Sequence, residues 1–255
     1  MRNTMQAVQE HKQRVLEDYA ESQLLGIFVY GSQNYGISTE NSDVDTKAIL
    51  IPSIEDLCLK KPVSREIHLE NNEHCEVKDI RELVKMFTKQ NINFLEILYS
   101  DYCWINPKYN RIWREYFVAN REYISHINER YAILSICGQA IHTLNQDKTD
   151  GKKFANGLRL YHFLVNYLDG IPYGFCIDCN YYGKGVAEEI IAYKKNEIVV
   201  DEEEVDTLIS KFMWFKSIAE KYSDKPDEYA SRILEDGVLA LITNEHQHFD
   251  FYKNK

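Results

Sequence analysis

Asp43 and Asp45 stand one residue apart in Ser-Asp-Val-Asp-Thr, with apolar runs on both sides. On a strand, that spacing puts both carboxylates on one face and turns Val44 to the other. Acids set among apolar residues are costly unless something pairs with them. Two converging carboxylates suit one or two Mg²⁺ ions, hard cations that take oxygen ligands. Paired metals in turn suit in-line nucleotidyl transfer, one activating the attacking oxygen and the other neutralising the triphosphate and the leaving pyrophosphate. Gly31-Ser32 precedes the acids by ten residues, 33–42, and ends the preceding apolar run. Glycine permits close backbone approach, and the serine hydroxyl and nearby amides can cradle phosphate oxygens. A lone Asp-x-Asp is common on solvated edges; strand, Gly-Ser, spacer, Asp-x-Asp and strand in that order are far more specific.

The elements that must position these residues are legible in outline. Residues 24–32 read as a buried strand, and 43–52 as the next, closed by Pro52. Two further strands are expected within 65–80. A helix is predicted over 79–90, with apolar residues at 80, 83, 84 and 87 on one face and Asp79 as its N-cap. A polar helix is predicted over 4–22, and a short helix or turn over 93–100. Beyond Pro107 the chain is aromatic-rich and helical in period, with helices expected near 151–170, 201–222 and from 226 onward. The expected class is α+β: a mixed-sheet module with flanking helices over 1–105, then a helical domain over 106–255 packed on it.

The 255 residues include 44% hydrophobic ones, enough for a core. No apolar run approaches the roughly 20 residues that span a bilayer, and the polar N-terminus lacks the apolar stretch of a signal peptide. A cytoplasmic protein with no membrane partner is expected. The formal net charge of −10 argues against a general polyanion binder, which is usually basic. Of six cysteines, only Cys176 and Cys179 form a Cys-x-x-Cys pair. A structural zinc site normally needs four ligands, so chance spacing of reduced thiols is the favoured reading.

The segment from 24 to 100 resembles the signature of the DNA polymerase β nucleotidyltransferase superfamily. More narrowly, it is similar to predicted bacterial and phage nucleotidyltransferases associated with RNA ligases. Those carry Gly-Ser-x-x-Tyr-Gly, Ser-Asp-x-Asp and a later Asn-(Pro)-x-x-x-Glu-x-Leu. Here the motifs are Gly31 to Gly36, Ser42 to Asp45, and Asn91 to Leu98, with Ile92 in place of the usual proline.

The resemblance implies a nucleotidyltransferase-like fold and Mg²⁺- or Mn²⁺-dependent transfer of a nucleoside monophosphate from an NTP, such as ATP, to an acceptor hydroxyl. The association with RNA ligases implies an RNA end as acceptor; a protein or a small molecule is the enzymatic alternative. The superfamily usually has a third carboxylate on a later strand. Glu76 is the choice here, with Glu73 and Asp79 as rivals, so that Asp43, Asp45 and Glu76 would be the catalytic and metal-binding set. Lys78 shares the face of Glu76 and is expected to offset part of the acidic charge. Gly31 and Ser32 would hold phosphates. Tyr35 is a candidate to stack over the nucleotide, with core packing the competing reading. Ser42 is a nucleotide-site candidate, with orientation of its own turn as the alternative. Related enzymes use basic residues of the helical half on the triphosphate, which nominates Lys152, Lys153 and Arg159. Asn156 stands where the family often has histidine. Glu96 is given no chemical role, and the basic run 193–195 no purpose. A nucleotide sensor that retains the fold is the reading from another class; the intact Asp43 and Asp45 weigh against it.

Overall fold

The computed structural model describes residues 3–61, 63–69 and 72–246. Five strands form one mixed sheet: β1 (Leu24–Tyr30), β2 (Asp45–Leu50), β3 (Ser64–His68), β4 (His74–Asp79) and β5 (Cys103–Ile105). Their order is β3-β4-β2-β1-β5. β1 runs antiparallel to both β2 and β5, β2 parallel to β4, and β3 antiparallel to β4. The short β5 lies outside the strands expected from the sequence. Three residues are too few to show alternation, and pairing with β1 defines the strand instead.

β1 is apolar throughout because both its faces are covered. Leu24, Ile27 and Val29 pack on one side, Leu25 and Phe28 on the other. A bulge near Gly26 shifts the alternation. A Cβ there would lie 2.8 Å from the Trp104 carbonyl on β5, so the close edge pairing needs a glycine. The shift sends Tyr30 to the same side as Phe28, where the site is built.

Helix α1 (Thr4–Leu16) covers the first face with Ala7, Val8 and Val15. It starts at Asn3, whose side chain accepts the Gln6 amide at 3.1 Å. It ends sooner than the polar pattern suggests, before a separate turn at Glu21–Gln23. The other face meets a continuous core shared with the helical half. The longer helices on this side are α2 (Ile80–Thr88) of the sheet module and, in the helical half, α3 (Glu129–Gln146), α4 (Gly151–Leu168), α5 (Val186–Lys194), α6 (Glu202–Ile218) and α7 (Glu228–His246). The aromatic segment before α3 is broken into short pieces, not one long helix. Asn128 caps α3 by accepting the Tyr131 amide at 2.9 Å, which starts a new helix there. Among the described residues, no helix is long and apolar enough to cross a membrane.

Candidate active site

Alternation on β2 sets the site. Thr46, Ala48 and Leu50 turn toward α1, so Asp45, Lys47 and Ile49 turn toward the helical half. Val44 is buried on the α1 side, which leaves Asp43 on the side of Asp45. The two carboxylates line one wall of a cleft of about 200 Å³, together with Tyr30, Gly31 and Ser32. The opposite wall is Lys152, Asn156 and Arg159 from α4 and Lys194 from α5.

Burial, with Asp43 close by, raises the Asp45 carboxyl above the usual range, although the His74 amide donating to Oδ1 at 3.0 Å works the other way. Neither aspartate has an ion-pair partner among the described residues. Two adjacent oxygen donors without a direct ion pair fit a hard divalent ion.

Glu76 stands on β4 opposite Lys47 of β2. Cys75 and Val77 point into the α1-side core, which puts Glu76 on the face of Asp45. Its carboxylate accepts the Tyr30 hydroxyl at 3.3 Å and pairs with Lys47 Nζ at 3.1 Å. The rivals face elsewhere. Glu73 accepts the Val44 amide and lies 3.1 Å from His11 Nε2 beneath α1. Asp79 caps α2 and pairs with Arg81 at 2.6 Å. Lys78 keeps the face of Glu76 by alternation, and its amine donates to Ser64. The direct ion-pair partner of Glu76 is Lys47. Only 1% exposed, it lies 3.7 Å over the Tyr30 ring, and burial lowers its pKa. The Asp-x-Asp-x-Lys alternation carries the sequence signal for it.

The Gly-Ser turn is held from below. Gly31 has φ +88°, a conformation that favours glycine. Its amide donates to Glu96 Oε2 at 2.9 Å, and the Tyr35 hydroxyl donates to Oε1 at 2.8 Å. Glu96 is 0% exposed, and burial raises its pKa. Glu96, the glutamate of the Asn91-to-Leu98 motif, is therefore the anchor of the turn. The Gly31 amide is thus engaged, whereas those of Ser32 and Gln33 have no protein acceptor among the described residues.

Tyr35 is buried, with its ring 3.9 Å from the Arg159 guanidinium. Arg159 is 2% exposed, and Asn156 Oδ1 accepts from its Nε and Nη2. Its Nη1 is buried without a hydrogen-bond partner, an unsatisfied donor on a residue that lines the cleft. Lys152 reaches the cleft. Lys153 does not line it and sits 4.0 Å from Asp150, the N-cap of α4. Lys194 ends α5, and its amine donates to the Ile37 carbonyl at 3.2 Å and to Ser42 Oγ at 2.9 Å. Burial and Lys152 lower its pKa, while Asp43 opposes them. Ser42 also accepts the Thr39 amide at 2.9 Å, so it braces the loop before Asp43. α4 and α5 approach closely at Gly151, where a Cβ would lie 2.2 Å from the Tyr193 carbonyl. That contact brings Lys152 and Lys194 to one wall.

A model of the RNA repair pathway DNA polymerase beta family, RlaP, matches residues 4–161. The chain belongs to that family. The RlaP match spans the turn, Asp43, Asp45, Glu76 and Glu96, extends through Arg159, and ends before Lys194. Nucleoside monophosphate transfer is the general chemistry that membership in this polymerase β-type family suggests. Among curated proteins none matches the chain significantly. A solved nucleotidyltransferase-like protein from Exiguobacterium sibiricum 255-15 is similar at 11% identity, over 97% of this chain and 78% of that one, with a TM-score of 0.33.

Cys176 and Cys179 are both buried. Burial pushes their thiols up to about 12 and about 11.

Proposed function

We propose that the protein transfers a nucleoside monophosphate from an NTP to the hydroxyl of an RNA end, releasing pyrophosphate, in the cytoplasm. The observation that carries this reading is the pairing of Asp43 and Asp45 on one wall of the cleft with Lys152, Arg159 and Lys194 on the other. A polyphosphate chelating a cation fits between such walls, because it needs cationic donors on one side and carboxylates behind the metal on the other. Asp43, Asp45 and Glu76 would hold Mg²⁺ or Mn²⁺. When bound, that ion supplies Lewis-acid stabilisation of charge on the phosphoryl oxygens.

The chain's own residues divide the remaining work. Arg159 Nη1 gains its missing acceptor from a phosphate oxygen, and Lys152 and Lys194 offset the charge beside it. The free amides of Ser32 and Gln33 offer two further donors. Glu96 holds the turn so that these donors need no reorganisation when substrate arrives. Tyr35 supports Arg159 from beneath. Glu76 completes the carboxylate set and takes the proton of the acceptor hydroxyl. In this division residues 1–105 form the catalytic module, and 106–255 supply the basic wall.

Incubation with labelled NTPs, Mg²⁺ and RNAs of defined 3′ and 5′ ends tests the reading. Label in RNA with matching pyrophosphate release is expected, and both should vanish in Asp43→Asn. Label in protein or in hydroxylated metabolites would move the acceptor to another class. Saturable NTP binding without pyrophosphate from any acceptor would make the chain a nucleotide sensor.

A further inference from the structure

Outside the cleft, a second group of ligand-bearing side chains sits on the same face of the sheet. β3 and β4 pair antiparallel, with His68 directly opposite His74 and Glu66 opposite Glu76. Ile67 and Cys75, the intervening pair, point into the α1-side core. Glu66, His68 and His74 therefore project together from the other face. One ligand atom from each lies within 4.8 Å of the others. The two imidazoles meet edge to face at 4.8 Å between centroids.

From this arrangement we infer that Glu66, His68 and His74 form a binding site for a divalent transition metal of the zinc class. Two imidazole nitrogens and one carboxylate are a donor set that zinc accepts and that Mg²⁺, which prefers oxygen, does not. The three ligands belong to adjacent strands in fixed register, so the backbone already holds them in place. Ligand atoms around tetrahedral zinc are roughly 3.4 Å apart, given bond lengths near 2.0–2.2 Å. Glu66 and His68 are exposed and His74 half-buried, so side-chain rotation can close the remaining gap.

The contact between His74 and Glu66 is the second observation. His74 Nδ1 lies 3.2 Å from Glu66 Oε1, yet it is shielded from solvent and makes no hydrogen bond. A nitrogen lone pair and a carboxylate oxygen at that distance repel unless a positive charge lies between them. A proton on Nδ1 would do so best along an aligned hydrogen bond, which this geometry lacks. A metal ion satisfies both atoms without that alignment.

The position of the site gives it a consequence. The His74 amide donates to Asp45 Oδ1. A metal held by the His74 side chain stiffens the strand end that positions a cleft carboxylate, and it occupies different atoms from those assigned to Mg²⁺. The inference does not rest on the proposed reaction.

The test uses the full chain carrying Cys58→Ser, which removes the exposed thiol. Excess Mg²⁺ occupies the oxygen-only sites. Zinc is titrated in competition with a chromophoric chelator, and His68→Gln and Glu66→Gln are compared at equal metal-free melting temperature. One zinc per chain with micromolar or tighter affinity is expected. Each variant should weaken it at least about tenfold, the scale of losing a ligand or its support. Zinc should also raise the melting temperature of the parent protein, and much less that of the variants. Imidazole nitrogen resonances of His68 and His74 should shift on binding. Absence of saturable binding, or binding that both variants leave unchanged, overturns the site.

Discussion

The two walls of the cleft carry opposite charge and hold it by different means. The sheet wall concentrates Asp43 and Asp45 without an ion-pair partner among the described residues, and the buried Lys47 is committed to Glu76. The helix wall has a buried arginine with an unsatisfied Nη1 and a lysine whose pKa burial lowers. Each wall stores an electrostatic deficit in the free protein. A metal-bound polyphosphate would relieve both, so substitutions on the two sides should fail differently.

The largest effect is expected from the sheet wall. Asp43→Asn and Asp45→Asn should each lower turnover roughly a thousandfold, because metal-held charge stabilisation is worth several kcal/mol. Asp45→Asn should also raise the melting temperature of the metal-free protein. The folded-state pKa of Asp45 lies above its unfolded value. Its favourable contribution is therefore present at low pH and lost as pH rises through the folded value. The melting-temperature gain of Asp45→Asn should be small near about pH 4 and larger near about pH 7. Paired turnover and melting curves check this. Near-normal turnover in either variant would refute the carboxylate assignment.

Glu76→Gln comes next and should separate from the aspartates by its stability. It is expected to lower turnover strongly, yet to lower the metal-free melting temperature by a few degrees rather than raise it. The reason is Lys47, which would stay buried without its carboxylate. Thermal unfolding of the three variants side by side shows whether the signs differ.

The helix wall should act on substrate affinity. Arg159→Lys keeps a charge but loses the planar fork that Asn156 and Tyr35 orient. A charged hydrogen bond worth about 1.5–3 kcal/mol implies roughly a 10- to 100-fold rise in KM for the NTP. Little change in kcat is expected if the contact serves ground state and transition state alike. Steady-state kinetics on Arg159→Lys and Lys194→Met check it. A fall in kcat with KM intact would move these residues from triphosphate binding to the reacting centre.

The walls also differ in how far the sequence reveals them. Asp43, Asp45 and the Gly-Ser turn are local: period-two alternation and one spacer are enough to place them. Glu76 follows from alternation once β4 is recognised beside β2. On the other wall, Lys152 and Arg159 were reachable only through resemblance. Lys194 sits in a basic run with no periodic signal, and close packing of α5 on α4 brings it in. Glu96 is a motif residue whose role depends on a contact with Gly31, 65 positions away. Pairings over such separations leave no local pattern, and the breaks in the aromatic segment before α3 are similarly settled by caps and packing.

The smallest expected effect, at Ser32, tests whether the turn belongs to one wall or joins them. Ser32→Ala removes a hydroxyl that now donates to Gln33 Oε1 at 3.0 Å. Gln33 in turn donates from Nε2 to the Asp43 carbonyl at 3.1 Å. If the hydroxyl serves only as a phosphate donor, the loss is one neutral hydrogen bond, about 1 kcal/mol or roughly fivefold, seen in KM. The free amides of Ser32 and Gln33 would remain, so the effect should stay far below that of Asp43→Asn. If the hydroxyl instead steadies Gln33, and through it the backbone of Asp43, the loss should appear in kcat. Gln33→Ala should then reproduce it, although that change leaves the hydroxyl in place. A KM effect confined to Ser32→Ala is the expected result. A shared kcat effect would mean that the phosphate turn and the acidic loop act as one unit, with Gln33 as the link between them.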